Sequence, residues 1–189
     1  MTMAEKKTST AAKSTKGKSA DSKSTAAKTT RRQNAEQGFT ASPTLTANMQ
    51  AVLADLIELS LQGKQAHWNV VGRNFRDTHR QLDEIIEAAR GFSDEVAERM
   101  RALHAVPDGR TAIIAKTTTL PEYPTGEVST EDTVDLITER LEAAVATMRS
   151  VHDEVDEEDP TTADILHAVI EKLEQFAWMV SAENRAPKN

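Results

Sequence analysis

The chain has 189 residues, 23 Lys and Arg against 30 Asp and Glu, a net charge of −7 and no cysteine. The absence of thiols excludes a disulfide scaffold, a cysteine nucleophile and a Cys-ligated zinc or iron–sulfur centre, and it fits a reducing cytosol. No run of about 18 apolar residues is present to span a membrane. The basic N-terminus also lacks the apolar stretch of a secretory signal.

The charge is unevenly distributed. In residues 1–32, Lys6, Lys7, Lys13, Lys16, Lys18, Lys23, Lys28, Arg31 and Arg32 face only Glu5 and Asp21. Nine cations against two anions give this stretch +7, which leaves −14 for the remainder. A basic arm on an acidic body predicts two partners of opposite charge. Residues 1–42 are rich in Lys, Ser, Thr and Ala, with almost no large apolar side chain before Phe39. Such a segment cannot bury enough surface to offset its ordering entropy, so a disordered tail is predicted.

After Pro43 the pattern becomes helical. Leu45, Met49, Val52, Leu53, Leu56, Leu59 and Leu61 recur at helical spacing towards Trp68, and Gly72 is a plausible stop. A second helix restarts near Asn74 with Phe75, Leu82, Ile85, Ile86, Phe92, Val96 and Met100, and ends before Pro107. Residues 110–129 hold Pro121, Pro124 and Gly126 and read as a long loop, with one short helix from Thr111 to Lys116. Ser129 and Asp132 approximate a capping box for a third helix, whose stripe runs from Leu136 to Val155. Asp159-Pro160 breaks it. Thr161 or Thr162 then caps a fourth helix that ends near Asn184. The predicted fold is all-α, a four-helix bundle without strands of useful length.

Among the residues of metal-ligand type between Lys64 and Arg99, five stand out by their spacing: His67, His79, Asp83, Asp94 and Glu98. Imidazole and carboxylate without thiolate suit iron or another first-row metal. His79 and Asp83 are four apart, as are Asp94 and Glu98, so each pair shares a helix face. No His has Glu three residues before it, so the Glu-x-x-His pattern of an intramolecular di-iron bundle is absent.

The second helix carries both pairs on one face, because 11 residues from Asp83 to Asp94 turn only about 20° out of register. Along the axis they lie about 16 Å apart. One metal ion needs ligand atoms at about 2 Å, so the pairs cannot join within one chain. They can meet if two copies of the helix pack antiparallel about a two-fold axis, with His67 completing each site. The axis is predicted to cross at Ala88-Ala89, with Gly91 nearby permitting close approach. The plainer alternative is a solvated acidic face and a packed histidine.

His67-Trp68-Asn69-Val70, Gly72, Asn74-Phe75, His79, Leu82-Asp83, Asp94 and Ala97-Glu98-Arg99 resemble the signature of the Dps family, the mini-ferritins known as DNA-binding proteins from starved cells. The resemblance implies a ferritin-like bundle over residues 43–185, followed by a short tail at 186–189. It implies a dodecameric shell with dinuclear Fe at two-fold interfaces between subunits. His67, His79 and Asp83 come from one subunit and Asp94 and Glu98 from its mate, all five being both metal ligands and catalytic. It further implies a ferroxidase that oxidises Fe(II), with hydrogen peroxide the favoured oxidant, and stores ferric mineral in the shell. Trp68, beside His67, is either an electron donor or a packing residue.

An acidic run from Asp153 to Asp159 follows. In the family this region lies near three-fold pores, which makes Asp153, Glu157 and Asp159 pore residues by resemblance. His104, His152 and His167 match no ligand position and read as structural or surface residues. The nine tail cations are expected to bind DNA non-specifically through phosphates, strengthened by multivalency on a shell. The predicted protein is thus cytoplasmic and nucleoid-associated, protecting DNA from oxidative damage. The alternative is a nucleoid-architecture DNA-binding protein whose metal site is vestigial or structural; a further one is an ordinary helical-bundle scaffold.

Overall fold

The structure is a computed structural model, and it describes residues 38–187. The predicted disordered tail lies, up to residue 37, outside the described residues. From Thr40 onwards the chain forms a bundle of four long helices, as the apolar stripes predict.

Helix α1 spans Pro43–Asn69. Ser42 caps it by accepting from the Leu45 amide at 3.0 Å, and Pro43 occupies the first turn, where its missing N–H costs nothing. Its buried stripe of Leu45, Met49, Val52, Leu56, Leu59, Gly63 and Ala66 repeats every three or four residues. Helix α2 spans Phe75–Ala102 and buries Leu82, Ile85, Ile86, Ala89, Val96 and Met100 against it. The two approach so closely that a Cβ at Gly63 would lie 2.8 Å from Ile86 Cγ1.

The turn between them needs two left-handed residues. Gly72 has φ of 125°, which side chains other than glycine's hydrogen rarely tolerate, and Asn74 has φ of 58°. Beside this turn, strand β1 (Val70–Val71) pairs in parallel with β2 (Val128–Ser129), Val70 opposite Val128 and Val71 opposite Ser129. Two residues have no period to read, so this pair was invisible in the sequence.

At the other end of α2, His104 adopts φ of 62°, and the Ala105 amide reaches back to the Met100 carbonyl at 2.9 Å. His104 therefore terminates α2 as a left-handed cap. Beyond it, α3 (Thr111–Thr117) is the short helix expected there. Helix α4 spans Thr130–Glu158, capped as predicted by Ser129, whose Oγ accepts from the Asp132 amide at 3.0 Å. Helix α5 spans Pro160–Ser181 and ends in a 3-10 turn, Ala182–Asn184.

The start of α5 differs from the prediction. Asp159, not Thr161 or Thr162, is its N-cap, and Thr162 is fully buried with its hydroxyl donating to the Asp159 carboxylate. Proline at the first helical position fixes the corner one turn earlier than the threonines suggested.

The two hairpins, α1–α2 and α4–α5, pack side by side, α1 against α4 and α2 against α5. The end of α2 and the start of α4 lie at opposite ends of the bundle, as the contacts Ala41 N to Leu103 O and Val70 to Val128 require. Residues 103–129 must therefore travel its full length, which is why the connection is long.

Two buried charges hold it down. Asp55, 1% exposed, accepts from Thr118 Oγ1 (2.8 Å), Thr119 N (2.7 Å), Thr119 Oγ1 (2.7 Å) and Thr147 Oγ1 (2.6 Å). Arg140, also 1% exposed, donates from Nε to Gln62 Oε1 at 2.7 Å and from Nη2 to the Glu122 carbonyl at 2.8 Å. Its guanidinium lies 5.1 Å from the Tyr123 ring centroid, and burial raises the pKa of that tyrosine.

Replacing Asp55 by Ala strands the donors of Thr118, Thr119 and Thr147 in the interior. We expect Asp55→Ala to lower stability by roughly 3 kcal/mol in denaturant unfolding, with faster amide exchange at Thr119. A change below about 0.5 kcal/mol would contradict the anchoring role.

Candidate metal centre

The last turn of α1 and the first half of α2 bring His67, His79 and Asp83 together. One ligand atom from each lies within 4.8 Å of the others. His67 Nε2 is 3.0 Å from Asp83 Oδ2, and the imidazoles of His67 and His79 stack with centroids 3.6 Å apart. Phe75 packs on the outer side of His79, centroids 5.1 Å apart.

Each group is oriented by a neighbour. His79 Nδ1 is 3.0 Å from the His67 carbonyl, one of the oxygens left without an intrahelical partner at the end of α1. A proton held on Nδ1 by that carbonyl leaves Nε2 as the free lone pair, the usual arrangement behind a ligating histidine. Lys64 Nζ donates to Asp83 Oδ1 at 2.7 Å. That hydrogen bond pulls the Asp83 carboxyl below its ordinary range, and contact with His67 adds to it against the opposing effect of desolvation. The carboxylate is thus ionised and available at neutral pH. His67 Nδ1 is buried and finds no hydrogen-bond partner among the described residues.

Asp94 and Glu98 are exposed on α2 and join no metal-type cluster among the described residues. The five ligand-type residues therefore divide three and two, as the helical rise requires. The outward stripe containing Asp83, Asp94 and Glu98 also holds Glu87, Arg90 and Gly91, all exposed. The predicted crossing point needs correction here. Ala89 is fully buried in the chain's own core and Ala88 packs partly against it. A helix of 3.6 residues per turn turns Ala89 away from the Asp83–Asp94 stripe, so Gly91, where an added Cβ would meet nothing within 4 Å, is the small residue on that face.

The surroundings are apolar and uncovered. Trp68 is 71% exposed, and Leu61, Val71 and Phe75 are exposed as well. Trp68 therefore packs into no core among the described residues. Single exposed apolar residues are ordinary, but Trp68, next to His67, and Phe75, against His79, both flank the polar cluster, as at an interaction surface.

The acidic run resolves into different environments. Asp153 and Glu157 are exposed. Glu158 accepts from the Ser42 amide at 2.7 Å and hydroxyl at 2.6 Å, tying α4 to the start of α1. Asp159 does not belong with the exposed acids: it is buried, and Arg99 Nη2 donates to its Oδ2 at 2.6 Å. Burial raises its pKa, but the hydrogen bonds from Thr162 and Arg99 outweigh this and hold the carboxyl below its usual value. Its chemistry is that of a corner brace, a role set by Arg99 60 residues away and unreadable from local spacing.

Among the described residues no helix is long and apolar enough to cross a membrane. The ferritin-like domain family matches residues 46–186. A DNA protection during starvation protein from Agrobacterium fabrum is 34% identical over 143 residues, covering 75% of this chain and 88% of its own. The fine tangled pili major subunit of Haemophilus ducreyi is also 34% identical, over 148 residues, covering 74% of this chain and 78% of its own. The solved structure of Dps from Microbacterium arborescens in the high iron form superposes with a TM-score of 0.71 at 30% identity, covering 77% of this chain and 98% of its own. With the bundle, the His67–His79–Asp83 cluster and these relatives together, the chain belongs to the Dps family of ferritin-like proteins.

Proposed function

We propose that this protein is a ferroxidase and iron-storage protein whose sites are shared between two subunits. The observation that carries the reading is the division of the ligand set. Three ligands converge on one chain, while Asp94 and Glu98 share their helix face but lie about 16 Å and more along it. Iron is the substrate. His67, His79 and Asp83 of one subunit bind Fe(II), and Asp94 and Glu98 of the two-fold mate close a dinuclear site.

The residue chemistry fits this role. Neutral imidazoles hold Fe(II) before oxidation, and carboxylates favour the Fe(III) product. Two ferrous ions side by side supply both electrons that reduce one hydrogen peroxide to water, avoiding the one-electron step that releases hydroxyl radical. Lys64 occupies Asp83 Oδ1 and keeps the carboxylate ordered until metal displaces it. The exposed Trp68 and Phe75 supply apolar surface for the mate to cover, and His67 Nδ1 is a buried polar group without a hydrogen-bond partner among the described residues. Closure of such pairs into a dodecameric shell gives a cavity for ferric mineral, with Asp153 and Glu157 as the exposed acids proposed for a pore.

Protection of DNA follows from removing Fe(II) and peroxide together, and the basic arm adds direct contact in the cytoplasm and nucleoid. An acidic body repels DNA, so the nine cations of residues 1–32 supply the phosphate contacts.

We expect His67→Ala and Asp94→Ala each to slow Fe(II) oxidation by peroxide by about 100-fold or more in stopped-flow absorbance, with the shell intact by light scattering. Unchanged rates in both would instead favour a DNA-binding architecture protein with a vestigial site. Removing residues 1–32 should abolish the gel shift with linear DNA at low salt while leaving iron oxidation unaffected; equal shifts would refute the role of the arm.

A further inference from the structure

Helices α4 and α5 bring a second pair of imidazoles together, apart from the His67 cluster. His152 Nε2 and His167 Nε2 lie 2.6 Å apart, their ring centroids 4.6 Å apart and their planes tilted by 33°. The opposite nitrogen of each ring faces an acid. His152 Nδ1 is 3.1 Å from Asp153 Oδ1, and His167 Nδ1 is 3.7 Å from Asp164 Oδ1.

A carboxylate beside Nδ1 favours the proton there and leaves Nε2 as a lone pair. With both rings in that state, two lone pairs face each other; a shared proton satisfies them at this distance, and a divalent cation can take the proton's place once the rings part slightly. The pair opens on a groove of about 360 Å³ that is also lined by Arg149, Glu171 and Glu174. Arg149 and Glu174 are joined in an ion pair. Glu171 stands one turn after His167 on α5, the spacing that places two ligands on one helix face.

We propose that His152 and His167 anchor a second divalent-metal site in each subunit, suited to a borderline ion such as Zn(II) or Co(II), with Glu171 turning in from the wall of the same groove to complete it. Two imidazoles and one carboxylate are a ligand set such ions accept, with water completing the coordination. Asp153 acts behind His152 as a positioning residue, holding its Nδ1 proton. The site does not depend on the ferroxidase reading, since its ligands lie on α4 and α5 and none of them belongs to that cluster.

The test uses the full-length protein carrying His67→Ala and Asp83→Ala, so that bound Co(II) does not report the other cluster. Metal-free protein is titrated with Co(II), followed by the visible ligand-field bands and equilibrium dialysis. The expected result is one Co(II) per chain with spectra indicating nitrogen ligation. Adding His167→Gln or His152→Gln should weaken it at least about tenfold, with shell size unchanged. Should either substitution disrupt assembly, Asp153→Asn keeps both rings and should still weaken binding about tenfold. The same Co(II) affinity with and without the histidines, or no binding at all, would overturn the proposal and leave a proton-sharing imidazole pair.

Discussion

The rigidity of one helix governs the chemistry of this protein. An α-helix rises 1.5 Å per residue and cannot fold back to bring its own turns together, so 11 intervening steps hold Asp83 and Asp94 about 16 Å apart. They share a face but never a metal ion within one chain. Every other feature of the centre bears on that constraint: His79 and Asp83 meet His67 at one end of the helix, Asp94 and Glu98 remain exposed further along it, and Trp68 and Phe75 beside the cluster are uncovered. Assembly thereby becomes a condition of the proposed reaction.

The cluster at the near end depends on the turn between α1 and α2. Gly72 and Asn74 take left-handed conformations there, and the β1–β2 pair ties the turn to the start of α4. That geometry sets His67, at the end of α1, beside His79 on the second turn of α2, where the His67 carbonyl fixes the other imidazole. The bundle itself is secured by a connection that must run its length, and the buried Asp55 and Arg140 hold that connection through its threonine hydroxyls and backbone. Every side-chain oxygen of Asp55 and nitrogen of Arg140 has a hydrogen-bond partner, which is what makes their burial tolerable.

Much of this was legible in the sequence because helical periodicity is a local property. Leu45 to Leu59 on α1 and Leu82 to Met100 on α2 announce their buried faces, and Ser129-Asp132 announces a cap. The three-and-two division of the ligand-type residues follows from residue counting alone. What escaped depends on contacts distant in sequence. Ala89 looked like a crossing point but belongs to the core, because the buried stripe of α2 passes through it. Asp159 looked like one more acid in a run but is claimed by Arg99. Asp55 and Arg140 carry no local sign of burial, and His152 and His167 meet only because α4 and α5 are neighbours.

The sharing of the site between subunits is tested most directly by complementation. One chain carries His67→Ala and His79→Ala, the other Asp94→Ala and Glu98→Ala, and the two are dissociated, mixed and reassembled. If each site takes its histidines from one subunit and its acids from the mate, random two-fold pairing restores about a quarter of the sites and a matching share of fast Fe(II) oxidation. Mixed shells no more active than either parent would show that the five residues do not act across the interface.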